Sequence, residues 1–285
     1  MTATEPHPAG GAATAVPPAT AVCVFAVRRD GGAPDWPAGA RGYAGGGPLG
    51  LLALPGTGLS AVVQEVPAAD FSEEALRLRL ADPAELERCA RAHHAVVTAC
   101  AAAGPVVPLP LATLFTGSDR AAAALTGQRA RFLAALDRVT GRQEWAVKVY
   151  AGPAGRSADA APAPAERPAT GPGAAYLARV RGRERDRQAR QDAVLRVTEE
   201  VHRAAAGFAA AAVRRPPHGA AATGADRPQV LNAAFLVDEG KAAAMVAAVR
   251  ALAGARAGLD VRVDVSGPWA PYSFTGDSHD GGTAR

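Results

Sequence analysis

The last third of the chain carries the clearest pattern of apolar and polar positions. Val230 to Val237 is an apolar run interrupted by Asn232 alone, as expected of a buried strand. Asp238 then stands as the N-cap of a helix in which Met245, Val249 and Leu252 recur at helical spacing. Leu259, Val261, Val263 and Val265 alternate with Asp260, Arg262, Asp264 and Ser266, which predicts a strand with one wet face. Gly267-Pro268-Trp269-Ala270-Pro271-Tyr272-Ser273-Phe274 follows, three aromatics held extended by two prolines.

Upstream, Ala21–Val27 predicts a strand and Asp30–Pro48 a Gly/Pro loop. Leu49–Leu54 and Leu59–Val66, parted by Pro55-Gly56-Thr57-Gly58, predict a hairpin or two strands of one sheet. Asp70 with Glu73 forms a capping-box pattern for a short helix ending near Leu80. Asp82-Pro83-Ala84-Glu85 starts the next helix, which Gly104-Pro105 stops after Ala103. Val106–Leu111 must be extended, because its prolines forbid helix. Leu125, Phe132, Leu136 and Val139 line one side of a single predicted helix, Ser118 to Val139, that Gly141 ends.

Glu144–Tyr150 predicts a strand with Trp145, Val147 and Val149 on one face and Glu144, Lys148 and Tyr150 on the other. Residues 151–172 are low-complexity Ala/Pro/Gly, a linker or mobile loop. A long helix is predicted from Gly173 to about Val213, then loop from Arg214 to Pro228. The expected fold class is α+β. A mixed α/β domain would span 21–141. A second domain, 142–276, would be a split βαβ of ferredoxin-like kind with a long Arg-rich helix. Residues 1–20 and 277–285 are expected to be disordered tails.

Composition narrows the function classes. The chain has 285 residues, 48% of them hydrophobic, enough for one large core or two small ones. A net charge of +4 is too small to argue for nucleic acid or an anionic membrane. Three cysteines, Cys23, Cys89 and Cys100, are an odd number without CxxC spacing, which favours a reducing, cytoplasmic setting over a disulfide framework. No apolar run reaches a membrane span, and the first residues lack the pattern of a signal peptide.

Few residues suggest chemistry. Gly45, Gly47 and Gly50 match GxGxxG, but Pro55 cuts short the helix that a dinucleotide fingerprint requires, so a loop is expected and no cofactor. Cys89, His93, Val96 and Cys100 share one helical stripe. They are too few for a metal site, so packing is expected. No nucleophile motif or paired carboxylate marks a catalytic centre, and no small-molecule substrate is expected; the alternative is an enzyme holding a ligand in a polar cleft between the two domains. Arg179, Arg181, Arg183, Arg185, Arg187 and Arg190 make the long helix an electrostatic candidate, with Arg179, Arg183 and Arg187 as contacts to an acidic partner. The competing reading is a solvated face, because Asp186–Arg190, Asp192–Arg196 and Glu199–Arg203 are acid-before-base pairs at i, i+4. The aromatics that single-strand binders interleave are missing after Tyr176, so nucleic acid is the weaker expectation.

Five segments, in order, resemble the gas vesicle protein F/L family (GvpL/GvpF). They are Ala90–His94 with Val96-Val97; Gly104–Leu109 continuing to Phe115; Glu144–Val149; Gly173–Leu177 with the helix to His202; and the closing segments above. One departure is Leu111-Ala112-Thr113, where the family has a basic-aromatic-Gly step before Thr. The resemblance implies two α+β domains, the second a modified ferredoxin fold, and a non-enzymatic accessory or minor structural role at the gas vesicle. It implies binding to the small hydrophobic shell protein, and to other gas vesicle accessory proteins, during nucleation or assembly. No catalytic residues come with it. Trp269, Tyr272 and Phe274 are then candidate anchors for the shell protein, or alternatively plugs of the second domain. If the strand ending at Val265 lies at a sheet edge, it could accept a partner strand.

Overall fold

The computed structural model describes residues 20–31, 41–152, 172–219, 227–256, 259 and 261–276. The expectations for the two tails and most of the 151–172 segment lie outside these residues. Among the described residues the strands form two antiparallel sheets.

The first sheet has the order β2-β3-β1-β4, with β5 also on β1. Its strands are β1 (Thr20–Arg29), β2 (Leu49–Leu54), β3 (Leu59–Pro67), β4 (Val106–Pro108) and β5 (Leu114–Phe115). Helices α1 (Glu73–Ala81) and α2 (Pro83–Ala102) cover one face, and α3 (Ser118–Thr126) and α4 (Arg129–Val139) cover the other. Cys23 and Phe25 point to the first pair, Val22, Val24 and Val27 to the second. That double burial is why Ala21–Val27 reads as unbroken apolar sequence.

The second sheet has the order β7-β8-β6-β9. Its elements run β6 (Arg142–Ala151), α5 (Pro172–Ala206), β7 (Ala209–Arg214), β8 (Gln229–Asp238), α6 (Glu239–Ala255) and β9 (Val261–Trp269). Leu231, Ala233, Phe235 and Val237 of β8 face α5 and α6 with Val201, Met245 and Val249. Ala234 and Leu236 point the other way, onto Val139 of α4 and Phe274. The second sheet is therefore covered on one face by its own helices, and on the other by the end of α4 and the tail of the chain.

Several expectations are corrected. The 118–139 helix is broken at Gly127-Gln128 into α3 and α4, so that each turns its own apolar side to the sheet. The long helix ends at Ala206, not Val213: Gly207-Phe208 form a turn, and Ala209–Arg214 become β7 because β8 offers them a hydrogen-bonded edge. The N-cap of α1 is Ser72, whose hydroxyl accepts from Ala75 N, rather than Asp70. Asp82 caps α2 as expected, accepting from Ala84 N at 2.9 Å. Asp238 occupies the cap position of α6 without capping it. Its carboxylate accepts instead from Arg142 Nε at 3.0 Å and Lys241 Nζ at 2.8 Å. Leu49–Leu54 form a strand, so Gly50 opens no helix and the GxGxxG glycines belong to a loop.

Candidate functional site

The end of β9 and the tail that follows it, residues 267–276, strap the two sheets together. Gly267 starts it with φ +149°, where a Cβ would meet the Trp145 ring at 2.9 Å and the Glu144 carbonyl at 3.0 Å. Glycine alone lets the backbone lie this close to the indole. The peptide to Pro268 is cis. The pairing of β6 with β9 shifts register here, Ala146 opposite Ser266 but Glu144 opposite Trp269. The chain then leaves the sheet, and Ala270 packs into the core of the first sheet.

Glu144 locks the strap. It is 5% exposed. Its carboxylate accepts the Ser273 N–H at 2.8 Å and the Ser273 hydroxyl, which in turn accepts from Arg215; Arg215 Nη2 also lies 3.8 Å from the carboxylate. Sequence placed Glu144 on the face opposite Trp145, Val147 and Val149. That face is in fact closed by the tail, so the burial was invisible to periodicity. The Phe274 carbonyl accepts from Arg138 of α4 at 3.2 Å.

The three tail aromatics divide. Phe274 is 1% exposed between Val139, Ala234 and Leu236, so it is a core residue and not a surface anchor. Trp269 and Tyr272 remain 43% and 37% exposed. Their rings sit 5.7 and 6.0 Å from that of His94 on α2. Burial, with the Glu144 charge second, pushes the Tyr272 phenol well up, so it stays a neutral donor. Beside Trp269 lies a cleft of about 560 Å³ lined by Thr98, Ala101, Val106, Gly141, Gln143 and Pro268. Among the described residues β9 is an edge strand, paired with β6 alone, and none of its residues is fully buried.

The other candidates fall elsewhere. Arg179, Arg183 and Arg187 are exposed on α5. Arg187 bonds Glu184 at 2.8 Å. Glu199 pairs across to Arg214 of β7, not along the helix to Arg203, and that bond chiefly lowers its carboxyl pKa. The Cys89–Cys100 stripe is core. His93 Nε2 bonds the Leu109 carbonyl at 3.1 Å, so it carries the proton, and Nδ1 accepts from Tyr43 O–H at 3.2 Å. Burial lowers the His93 pKa. Burial also pushes Cys23 up to about 12 and Cys100 up to about 11, which makes both poor nucleophiles. No cluster of three metal-ligating side chains occurs among the described residues, and no helix there is long and apolar enough to cross a membrane.

Two antiparallel sheets, flanking helices and an aromatic strap define a mixed α+β protein with a candidate contact surface. The family model described as "Gas vesicle synthesis protein GvpL/GvpF" matches residues 21–276. The chain belongs to that family. It is 40% identical over 260 residues to "Gas vesicle protein L" of Streptomyces sp. (strain CB03234), covering 89% of this chain and 92% of that protein. Its fold is similar to the crystal structure of GvpF from Anabaena sp. PCC7120, with TM-score 0.63, 14% identity, and 91% and 98% of the two chains covered. GvpF from Microcystis aeruginosa is similar at TM-score 0.57, with 14% identity and 90% and 99% covered.

Proposed function

We propose that this chain is an accessory or minor structural protein of gas vesicles that binds the small hydrophobic shell protein and assists nucleation or assembly of the shell. The observation that carries this reading is the family match across 21–276. It is supported by a relative named for the gas vesicle over nearly the full length.

The contact surface in this reading is the exposed half of the strap. Trp269 and Tyr272 lie beside the β9 edge and the cleft. Aromatic residues that keep one side wet are the usual anchors of a protein interface. With these two residues 43% and 37% exposed, a partner that covers both takes apolar ring surface out of water, which favours association. A partner strand added to β9 would supply main-chain bonds and orientation. The first sheet with its helices, 21–141, would be one domain. The β6–β9 unit, with its β-α-β-β-α-β order, would be a second, ferredoxin-like one.

The test is co-purification of the full chain with the major shell protein of the same organism, at low and at high salt. Retention at high salt, lost in a Trp269→Ser/Tyr272→Ser variant, is the expected result. Absence of association at either salt overturns the reading.

A further inference from the structure

A second cleft, of about 830 Å³, opens between the loop before β2 and the helices α1 and α2. The loop residues Gly42–Pro48 form one wall, Arg79, Glu85 and Arg88 the other, and Leu49, Cys89 and Ala92 give the cleft apolar surface. The loop wall is held by the fold. Gln64 of β3, 3% exposed, accepts the Tyr43 N–H at 2.8 Å and donates to the carbonyls of Tyr43 at 3.2 Å and Gly47 at 2.9 Å. A Cβ at Gly42 or Gly46 would run into the Gln64 amide, so two glycines let the loop close over that side chain.

The charges in the cleft do not balance. Arg41, Arg79 and Arg88 line it against Glu85 alone. Glu85 is taken by Arg88 at 2.7 Å. The half-buried Arg79 lies over the Phe71 ring at 5.0 Å and has no carboxylate partner, and the side chain of Arg41 has neither an ion pair nor a hydrogen bond. Burial raises the pKa of the Cys89 thiol; Arg79 and Arg88 lower it and Glu85 raises it, which puts all three charges around that thiol. Cations that share a concave wall repel one another and focus a positive field into it. Three arginines less one carboxylate leave two positive charges, which a phosphomonoester near its dianionic form neutralises. Guanidinium forks also match phosphate oxygens in geometry. The volume suits a small organic molecule rather than a bare ion. Tyr43 is the one aromatic residue of the lining and is 5% exposed, so nothing there stacks on a nucleobase.

We propose that this cleft binds a small phosphomonoester, with Arg41 and Arg79 on the phosphate, Arg88 as the third cation, and the organic part against Leu49, Ala92 and the glycine loop. The event is binding, with no bond made or broken. None of the lining residues belongs to β9 or to the strap, so failure of phosphate binding leaves the shell-protein reading standing, and the reverse holds too.

The experiment is isothermal titration calorimetry of the full chain with glucose 6-phosphate, inorganic phosphate and glucose, at low and at high salt. Three variants are compared: Arg41→Gln/Arg79→Gln, Glu85→Gln, and Arg91→Ala, which lies on α2 outside the cleft. Circular dichroism melts check that each is folded. Glucose 6-phosphate should bind with a Kd at or below about 1 mM, inorganic phosphate more weakly, and glucose not at all. Its affinity should fall at least about tenfold in the double arginine variant and also weaken at high salt. Glu85→Gln should tighten binding about threefold, because it removes the one acid and releases Arg88. Arg91→Ala should bind as the parent does. Should the double variant unfold, the direction of the Glu85→Gln change decides. Absence of binding by either phosphate overturns the proposal, as does binding that survives in the folded double variant or weakens in Glu85→Gln. Inorganic phosphate binding as tightly as glucose 6-phosphate, or glucose binding as tightly, overturns the phosphomonoester assignment.

Discussion

Ser273 donates both its backbone N–H and its hydroxyl to the carboxylate of Glu144, 129 residues earlier in the chain. This pair decides how the tail leaves the second sheet, and with it where Trp269 and Tyr272 stand. Ser273→Ala removes one bond to a buried charge and should cost about 1.5–3 kcal/mol, read from urea unfolding. Glu144→Ala should cost more, because it strands Ser273 N–H and removes the carboxylate beside Arg215. The double variant should cost less than the two singles summed, since the residues share one interaction.

Gly267 is the hinge of the same strap. An alanine there would carry its Cβ into Trp145 at a φ that L residues rarely adopt. Gly267→Ala should therefore destabilise by about 1–3 kcal/mol, while Gly254→Ala, inside α6 with open space around it, should stabilise by about 0.5–1 kcal/mol. Thermal melts of the two variants separate strain from ordinary glycine entropy.

Acid should weaken the fold as pH falls below about 7. His93 and His202 both have pKa values lowered by burial, with Arg214 adding to the effect at His202. A base with a depressed folded pKa binds more protons when unfolded. Its stabilisation is thus full above the unfolded value of about 6.5 and is lost as pH falls through the folded value. Stability measured from pH 8 to pH 5 should be flat above about pH 7 and fall below it. His93→Gln should reduce that slope. An unchanged slope would assign it elsewhere.

The thiols should be silent in the folded protein. Cys23, Cys89 and Cys100 are all buried, and burial raises the pKa of each. Alkylation at pH 8 should be slow for Cys23 and Cys100 in buffer and complete in denaturant. Fast native labelling of Cys100 would mean that the contact between α2 and the first sheet opens readily.

Much of this protein could be read from its order of residues, because local chemistry was sufficient there. Asp82-Pro83 starts α2 and Gly104-Pro105 follows its end, since caps and breakers act within a turn. The apolar runs at Ala21–Val27 and Val230–Val237 are strands buried on both faces, and the alternation up to Val265 is an edge strand. The family resemblance was likewise legible, being carried by short motifs in sequence order. The rest needed the tertiary structure. Ala209–Arg214 has helical composition, yet pairing with β8 outweighs a propensity of tenths of a kcal/mol per residue, as is usual for such weak preferences. Glu144 and Phe274 became buried only when a distant tail and α4 closed over the second sheet, and Trp269 and Tyr272 stayed exposed for the same reason. Periodicity reports which face of an element is apolar. What covers a face is decided by contacts between residues more than a hundred positions apart, and no local pattern encodes them.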